Sequence, residues 1–195
     1  MRNLRLYFVL FGLLNLSTLL AQFMHYPNVI GFLSLFTILA NICATGAFFY
    51  MGLNTKERVS IEAESFFGVS VVYMIITALG YWFLLRNVLY PVLLPFANLV
   101  FHTIIPIALL LGWFMYKHEH RLDYSKALSW LFFPFIFLIY TLIHGLRVGW
   151  YPYPFLDPRL FGGYYQVFIY SAFLSLGFYL SGLIVIWAGN RRLNN

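Results

Sequence analysis

Charged side chains are scarce in this sequence. Asp, Glu, Lys and Arg make up 9% of the 195 residues, whereas 62% are hydrophobic, 22% are aromatic and the mean hydropathy is +0.81. A soluble domain carries roughly a quarter of charged residues, so the composition predicts a chain that is solvated by lipid. The net charge of +6 therefore does not indicate nucleic-acid binding, because Lys and Arg report topology in a membrane protein.

Cysteine is almost absent as well. The one cysteine, Cys43, excludes an intrachain disulfide and a cysteine-based metal site. His118 and His120 have the spacing of a weak metal clip, but no second ligand pair accompanies them. We therefore predict no metal site, and we expect both histidines to be solvated on the cytoplasmic side.

Apolar stretches long enough to cross a membrane occur six times, since a spanning helix needs about 20 mostly apolar residues. They cover residues 4–24, 29–53, 65–85, 99–116, 127–149 and 164–189. Because the linkers are short, residues 1–195 are expected to form one all-α integral membrane domain, a bundle of six transmembrane helices. The first stretch resembles a signal peptide, but Leu19 stands where a small residue is expected before cleavage at Ala21, so we expect it to be retained.

The basic residues predict the orientation of the bundle. Nine of the twelve fall on the side of both termini, and three fall on the other side. The nine are Arg2, Arg5, Lys56, Arg58, Lys117, Arg121, Lys126, Arg191 and Arg192, and the three are Arg86, Arg147 and Arg159. The positive-inside rule then places both termini in the cytoplasm.

Two proline-containing segments are expected on the outer side. Residues 87–98 contain Pro91 and Pro95, which discourage a continuous helix, and residues 149–158 read "GWYPYPFLDP". Irregular backbone at membrane depth must be buried in protein. We therefore expect the two segments to pack together as a cap over the outer end of the bundle.

Polar residues within the spans are expected to face the bundle interior, and several share one depth. At 1.5 Å per residue, Thr37 lies ~6 Å from the centre of its span and His102 lies ~6–8 Å from the centre of its own, both toward the outside. Asn41 shares a helix face with Thr37. This layer predicts a pocket in the outer half of the bundle that opens outward or sideways into the membrane.

A threonine beside a histidine suits acyl transfer. The hydroxyl needs a base to take its proton during attack, and a neutral imidazole can do this and later protonate the leaving group. Donors must also face the oxyanion. The amides of Asn41, Asn15 and Asn98 are candidates among which the sequence does not choose, and no third residue that would orient His102 is evident.

Three of the candidate site residues also have simpler structural roles open to them. Thr37 taken alone is expected to bond its own carbonyl at i−4. His144 suits helix-end packing or hydrogen bonding at least as well as chemistry. Asp157 lies between two prolines, where a local Asx-type bond is the default.

Three stretches together resemble the androgen-induced protein family of integral-membrane threonine hydrolases and its short bacterial relatives. They are "FTILAN" at 36–41, "FHTIIPI" at 101–107 and "GWYPYPFLDP" at 149–158. Their order, approximate spacing and six-span length agree with the family over nearly the whole chain. The third stretch is fairly specific to the family, whereas the first two are short and support the resemblance only in combination with the others.

The resemblance implies hydrolysis of lipid esters, notably fatty acid esters of hydroxy fatty acids, through an acyl-threonine intermediate. Thr37 would be the nucleophile and His102 the general base, with no metal or organic cofactor. The partners would be the bilayer and the lipid ester, and a bacterial plasma membrane is favoured over a eukaryotic one. Leu39 and Ala40 depart from a polar pair that short relatives often carry. As a hypothesis, the 149–158 turn roofs the pocket, with Trp150 and Asp157 influencing which acyl chain enters.

Two other function classes compete with the enzyme. Six spans with polar residues would suit a small transporter or channel, but the polar layer fills only one half of the bundle and no inverted half-repeat is evident. A non-catalytic membrane scaffold would use the aromatic surface as interaction area.

Overall fold

The computed structural model describes residues 2–26, 28–55, 58–87, 93–160 and 162–193, and these ranges contain helices and loops but no strand. The helices are α1 (Arg2–His25), α2 (Val29–Leu33), α3 (Phe36–Leu53), α4 (Ile61–Gly80), α5 (Pro95–Leu99), α6 (Ile105–Met115), α7 (Lys126–Ser129), α8 (Phe132–Val148) and α9 (Tyr164–Arg192). Within these described ranges, six helical stretches are long and apolar enough to cross a membrane. The expected helical fold with six such stretches is thereby confirmed.

The second predicted span is wrong in one important respect. Residues 29–53 were expected to form one helix, but the helix is broken at Ser34 and Leu35, between α2 and α3. Asn28 caps α2 through a 2.6 Å bond to the Gly31 N–H. The Ser34 hydroxyl, 2.7 Å from the Ile30 carbonyl and 2.7 Å from the Tyr140 hydroxyl, holds the break in place. The consequence is that α3 begins within the bundle.

Two other spans contain a widened turn. A π-helical turn, Tyr81–Leu85, continues α4, and a second, Val100–Ile104, joins α5 to α6. The second precedes Pro106, which lacks an N–H for the His102 carbonyl and whose ring would crowd it in a regular helix. Such turns shift side chains relative to a regular helix and are frequent at functional sites. Tyr81 and His102, one from each turn, stack with ring centroids 4.3 Å apart.

Close packing holds most of the bundle together. α1 lies along α3, and α4 contacts α3, α6 and α9. Glycines allow the close approach of α1 and α3, as is usual between membrane helices: a side chain at Gly52 would meet Val9 at 2.8 Å. By contrast, α8 has few close backbone contacts with the other long helices, and it reaches them through large side chains such as Phe137, which packs edge-on against Phe36.

The loop after α6 is fastened to the start of α4 by a buried carboxylate. Glu64 is fully buried and accepts hydrogen bonds from the backbone N–H groups of Glu119 and His120 at 3.0 and 2.8 Å. One oxygen also lies 3.1 Å from His118 Nδ1, while His118 Nε2 lies 3.1 Å from the Trp113 carbonyl. The expectation that His118 is solvated is therefore wrong, since this side chain is only 4% exposed. His120 is half-buried and contacts the Val59 carbonyl.

Removing this carboxylate is expected to weaken the fold at that end. Glu64→Ala would leave the imidazole and two backbone N–H groups without their acceptor, and each buried donor left unsatisfied costs about 1–3 kcal/mol. Thermal unfolding in detergent measures the change. Glu62→Ala, two residues away on the exposed face, is the control and should unfold near the wild-type temperature. Equal effects of the two substitutions would contradict the structural role of Glu64.

Candidate functional site

Thr37 lies in the first turn of α3, where backbone N–H groups have no partner within the helix. Its N–H donates instead to the hydroxyl of Tyr153, at 3.1 Å. Its side-chain Oγ1 lies 3.3 Å from His102 Nε2 and 3.4 Å from the Tyr153 hydroxyl. The side chain is therefore turned toward these two groups, rather than folded back onto its own helix.

His102 is held with one ring nitrogen directed at the Thr37 hydroxyl. The side chain is 3% exposed, and Nδ1 lies 3.0 Å from the Asn98 carbonyl, one turn earlier. Because a carbonyl only accepts, Nδ1 carries the proton, and Nε2 is left with a lone pair toward Thr37. The predicted proximity of the two side chains is confirmed. The group that orients His102, which the sequence left open, is supplied by the Asn98 carbonyl together with the stacked Tyr81 ring.

Tyr153 is a functional candidate that the sequence analysis did not single out, because a tyrosine beyond the end of an apolar stretch is typical of the membrane interface. The hydroxyl reaches both the N–H and the Oγ1 of Thr37 across 116 residues of sequence. Burial raises the pKa of the Tyr153 phenol, so the group keeps its proton at neutral pH and remains a donor. The available signal was the repeated Tyr-Pro in "YPYP", which indicates a rigid turn aimed inward as readily as an interface anchor.

The amides proposed as oxyanion donors are used elsewhere. Asn41 donates to the Thr37 carbonyl at 2.8 Å, and Asn15 donates to the Asn41 carbonyl at 2.9 Å. Both are fully buried where α1 packs on α3, and neither lines a cavity beside Thr37. The structure therefore assigns them to holding the first turns of α3, and the oxyanion role predicted for them is wrong.

Asn98 lies at the site but faces a different partner. Its side-chain nitrogen donates to the Tyr81 hydroxyl at 2.6 Å, and its carbonyl accepts from His102. The residue therefore fixes both rings of the Tyr81–His102 stack. Its contribution is to position the histidine.

The outer turn, residues 149–163, is closed by an acid–base pair. Arg159 donates two side-chain bonds to Asp157, at 2.8 and 2.7 Å, and its backbone N–H donates a third at 2.9 Å. These bonds, chiefly those from the guanidinium, hold the pKa of the Asp157 carboxyl below its usual range. Their stabilising effect is present above the ordinary pKa of an aspartate and is lost only as the pH falls through the lowered value. Asp157 thus stabilises the turn, as the local default predicted, and it lines neither cavity at Thr37.

Trp150 and His144 also lie apart from the Thr37–His102 pair. Their rings meet edge-to-face at 6.1 Å, and His144 stacks on Tyr140 at 5.4 Å. Neither lines the cavities at Thr37. The turn does cover the site as expected, but it does so through Tyr153 and its neighbouring prolines.

Two cavities meet at Thr37 and Tyr153. The lateral cavity offers about 700 Å³ including its mouth. Three helices, α4, α8 and α9, wall it with mostly apolar side chains, among them Ile76, Phe137, Leu138, Leu174 and Phe178. Its space exists where the backbone of α8 stands away from its neighbours.

The polar cavity lies on the other side of the same hydroxyl and offers about 720 Å³ including its mouth. Its lining includes Arg86, Leu93, Asn98, His102, Pro152 and Pro154. Leu93 comes from the segment 87–98 and the prolines from the outer turn, so the described part of that segment and the outer turn both line this cavity. Residues 88–92 lie outside the described residues.

Comparisons of the chain with protein-family models, with curated proteins and with solved structures found no match. The resemblance to the androgen-induced protein family therefore rests on the three motifs alone. What the site can do chemically follows from its own geometry: a hydroxyl, a correctly oriented base and a phenolic donor at the junction of an apolar cavity and a polar one.

The contact between the outer turn and α8 can be tested by substitution. Tyr151 lies directly over Gly145, so a Cβ there would overlap the ring. Gly145→Ala is expected to displace Tyr151 and loosen the turn, at the roughly 1–3 kcal/mol typical of overpacking. Tryptic cleavage after Arg159, followed by mass spectrometry in detergent, should become several-fold faster. Gly177→Ala, where the new Cβ would meet Ile76 at an ordinary 3.5 Å, should leave the rate unchanged, and equal rates for all three proteins would show that the turn does not depend on this contact.

Proposed function

We propose that the protein is an intramembrane hydrolase of lipid esters that works through an acyl-threonine. The observation that carries this proposal is the contact of Thr37 Oγ1 with His102 Nε2 at 3.3 Å, with the opposite ring nitrogen bonded to the Asn98 carbonyl. A hydroxyl and a base within reach, with the base itself oriented, are the elements of nucleophilic catalysis. The separation is slightly long, as is common before substrate binds.

In the first half-reaction the Thr37 oxygen attacks the carbonyl carbon of the ester while its proton passes to His102 Nε2. The carbonyl π electrons move to oxygen and form a tetrahedral oxyanion. When the intermediate collapses, the bond to the alcohol oxygen breaks and that oxygen takes the proton from Nε2. An acyl group then remains on Thr37.

The second half-reaction repeats these steps with water. His102 Nε2 takes a proton from the water as its oxygen attacks the acyl carbon, and the proton returns to Thr37 Oγ1 when the acid leaves. The polar cavity is the route by which the alcohol departs and water enters, since His102 and Thr37 line it together. The lateral cavity holds the acyl chain, since its walls are mostly apolar.

Two features favour the negative charge that develops at the oxyanion. The Tyr153 phenol lies 3.4 Å from Thr37 Oγ1 and has a proton to donate. The amino end of α3 supplies the positive end of the helix dipole. Preorganised donors of this kind account for about 10²–10³ in turnover each.

The orientation and membrane of the enzyme belong to the same proposal. The 9-to-3 distribution of basic residues supports cytoplasmic termini, which would put both cavities in the outer half of the bilayer. The three motifs support membership of the androgen-induced protein family, and its short relatives support a bacterial plasma membrane. The bilayer would then deliver the lipid ester directly to the lateral cavity.

The nucleophile is tested by removing its hydroxyl without changing its shape. Thr37→Val is expected to abolish covalent labelling by a fluorophosphonate probe and hydrolysis of a long-chain ester in detergent, because no alkoxide forms. Thr37→Ser should retain part of both activities, and His102→Gln should lose at least 10²-fold in turnover because no base takes the proton. Thr45→Val is the matched control, since Thr45 lies two turns further along α3 and bonds only the Asn41 carbonyl.

Two outcomes would contradict the enzyme. Labelling that persists in Thr37→Val would place the reactive group elsewhere. Folded wild-type protein that neither labels nor hydrolyses esters, but moves an apolar solute across liposomes with or without the Thr37 hydroxyl, would favour the transporter.

The phenolic donor is tested by Tyr153→Phe, which keeps the ring and removes the hydroxyl. Turnover is expected to fall about 10²–10³-fold while KM changes little, because the oxyanion forms only after binding. Tyr151→Phe, in the same turn but outside both cavities, is the control. A rise in KM with unchanged kcat would instead assign the Tyr153 hydroxyl to substrate binding.

A further inference from the structure

Two residues in the wall of the lateral cavity have hydroxyls without a hydrogen-bond partner among the described residues. They are Thr77 on α4 and Ser171 on α9. A serine or threonine within a helix ordinarily bonds the carbonyl one turn earlier. Four others in this chain do so, at 2.7–2.9 Å: Thr18, Ser34, Thr45 and Ser70. Thr77 is only 6% exposed, so its hydroxyl lies away from bulk solvent without a bond to its own helix.

A buried hydroxyl without a hydrogen bond is unfavourable unless a ligand supplies the partner. Because no bond holds the Thr77 side chain, its hydroxyl can turn toward the cavity between the two χ1 rotamers that a helical threonine adopts. The rest of the wall offers mainly hydrocarbon, for example Ile76, Leu174 and Phe178. The cavity therefore holds two hydrogen-bonding groups to which a plain acyl chain offers nothing.

Gly80 leaves unfilled room beside Thr77. It lies three residues further along the same face of α4 and also lines the lateral cavity. A Cβ added at Gly80 would meet no packing partner within 4 Å among the described residues, whereas at Gly112 it would meet Phe8 at 2.6 Å. Glycine is less favourable than alanine within a helix, and close packing does not account for it here. The room that it leaves can take a substituent on a chain that runs past α4.

We propose that the lateral cavity binds acyl chains that carry a hydroxyl group part-way along their length. Gly80 leaves space for the substituent, and Thr77 and Ser171 supply hydrogen bonds to its oxygen. This inference rests on the proposed function, in which the acyl chain occupies this cavity with its carbonyl carbon at Thr37. The substituent belongs to the acid part of the ester, whereas the family resemblance concerns a hydroxy acid in the alcohol part. It takes no part in the bond changes at Thr37.

The test compares nitrophenyl esters of stearic acid, of stearic acids hydroxylated at successive mid-chain carbons, and of their methyl-branched counterparts. The methyl group reproduces the size of the hydroxyl but offers no hydrogen bond. Wild-type protein should hydrolyse one of the hydroxylated esters with a KM roughly 2–10-fold below that of its methyl counterpart, the contribution of a neutral hydrogen bond. Thr77→Val should remove this advantage, and Ser171→Ala should reduce it.

The space beside Gly80 is tested separately by Gly80→Leu. This change should raise KM roughly 10-fold or more for both substituted chains, as expected where a pocket and its ligand differ by a methylene or more, and leave the plain ester near wild type. Gly80→Ala should have a smaller effect of the same kind.

Thr77→Val keeps the shape of the side chain and removes an unpaired hydroxyl, so the unfolding temperature should not fall. Thr141→Val is its matched control. The Thr141 hydroxyl is likewise buried without a partner among the described residues, but it lines neither cavity. This variant should retain the wild-type preference for the hydroxylated ester.

Two results would overturn the proposal. Equal KM values for the hydroxylated and methyl-branched esters at every position would show that the two hydroxyls bind only water. If Gly80→Leu slows plain and substituted esters equally, the room beside Gly80 holds the main chain and not a substituent.

Binding separates this proposal from the proposed function. In Thr37→Val protein, which forms no acyl-enzyme, mid-chain hydroxystearic acid should raise the unfolding temperature more than stearic acid does, and the additional change Thr77→Val should remove the difference. Such binding without hydrolysis by the wild type would retain the hydroxyl subsite and overturn the esterase. Hydrolysis that is indifferent to the substituent would do the reverse.

Discussion

The interruption of the second span at Ser34 and Leu35 is the constraint on which the site depends. A helix that begins inside a bundle exposes N–H groups where water is scarce, and each must find an acceptor. The Tyr153 hydroxyl provides one for Thr37. This single bond ties the outer turn to the amino end of α3, and it brings a phenol beside the hydroxyl of the same residue.

The two π-helical turns lie next to the start of α3, and they too adjust which partners the backbone and side chains reach. A π turn moves side chains off the regular helical positions, and here it allows the His102 ring to stack on Tyr81 while its Nδ1 reaches the Asn98 carbonyl. Pro106 removes the N–H that would serve the His102 carbonyl in a regular helix. A histidine so constrained has a defined tautomer, which a general base requires, and no carboxylate stands among the described residues that line the two cavities.

The sequence was sufficient for six long apolar helical stretches, since long apolar runs leave few alternatives. It was also sufficient for the proximity of Thr37 and His102, since their levels along the two helices follow from counting residues. It was insufficient for the break before α3, because Ser34 and Leu35 are not helix breakers and the break depends on Tyr140, more than a hundred residues away. For the same reason Asn41 and Asp157 were misassigned: both carry suitable chemical groups, and only the fold shows that each group already has a partner. Tyr153 was not predicted as a site residue because tyrosines are common near membrane interfaces whether or not they take part in a functional site.

The placement of α8 affects both the packing of the bundle and the opening of the lateral cavity. Five of the long helices pack through close backbone contacts, but α8 is kept at a distance by rings such as Phe137 and is joined to the outer turn through Gly145 and Tyr151. On the proposed function the acyl chain enters through this gap, and a gap costs packing energy. The Asp157–Arg159 pair stabilises the outer turn, and the Glu64 cluster stabilises the start of α4. These contacts hold the ends of helices in place while the bundle keeps an open cavity beside the Thr37 hydroxyl.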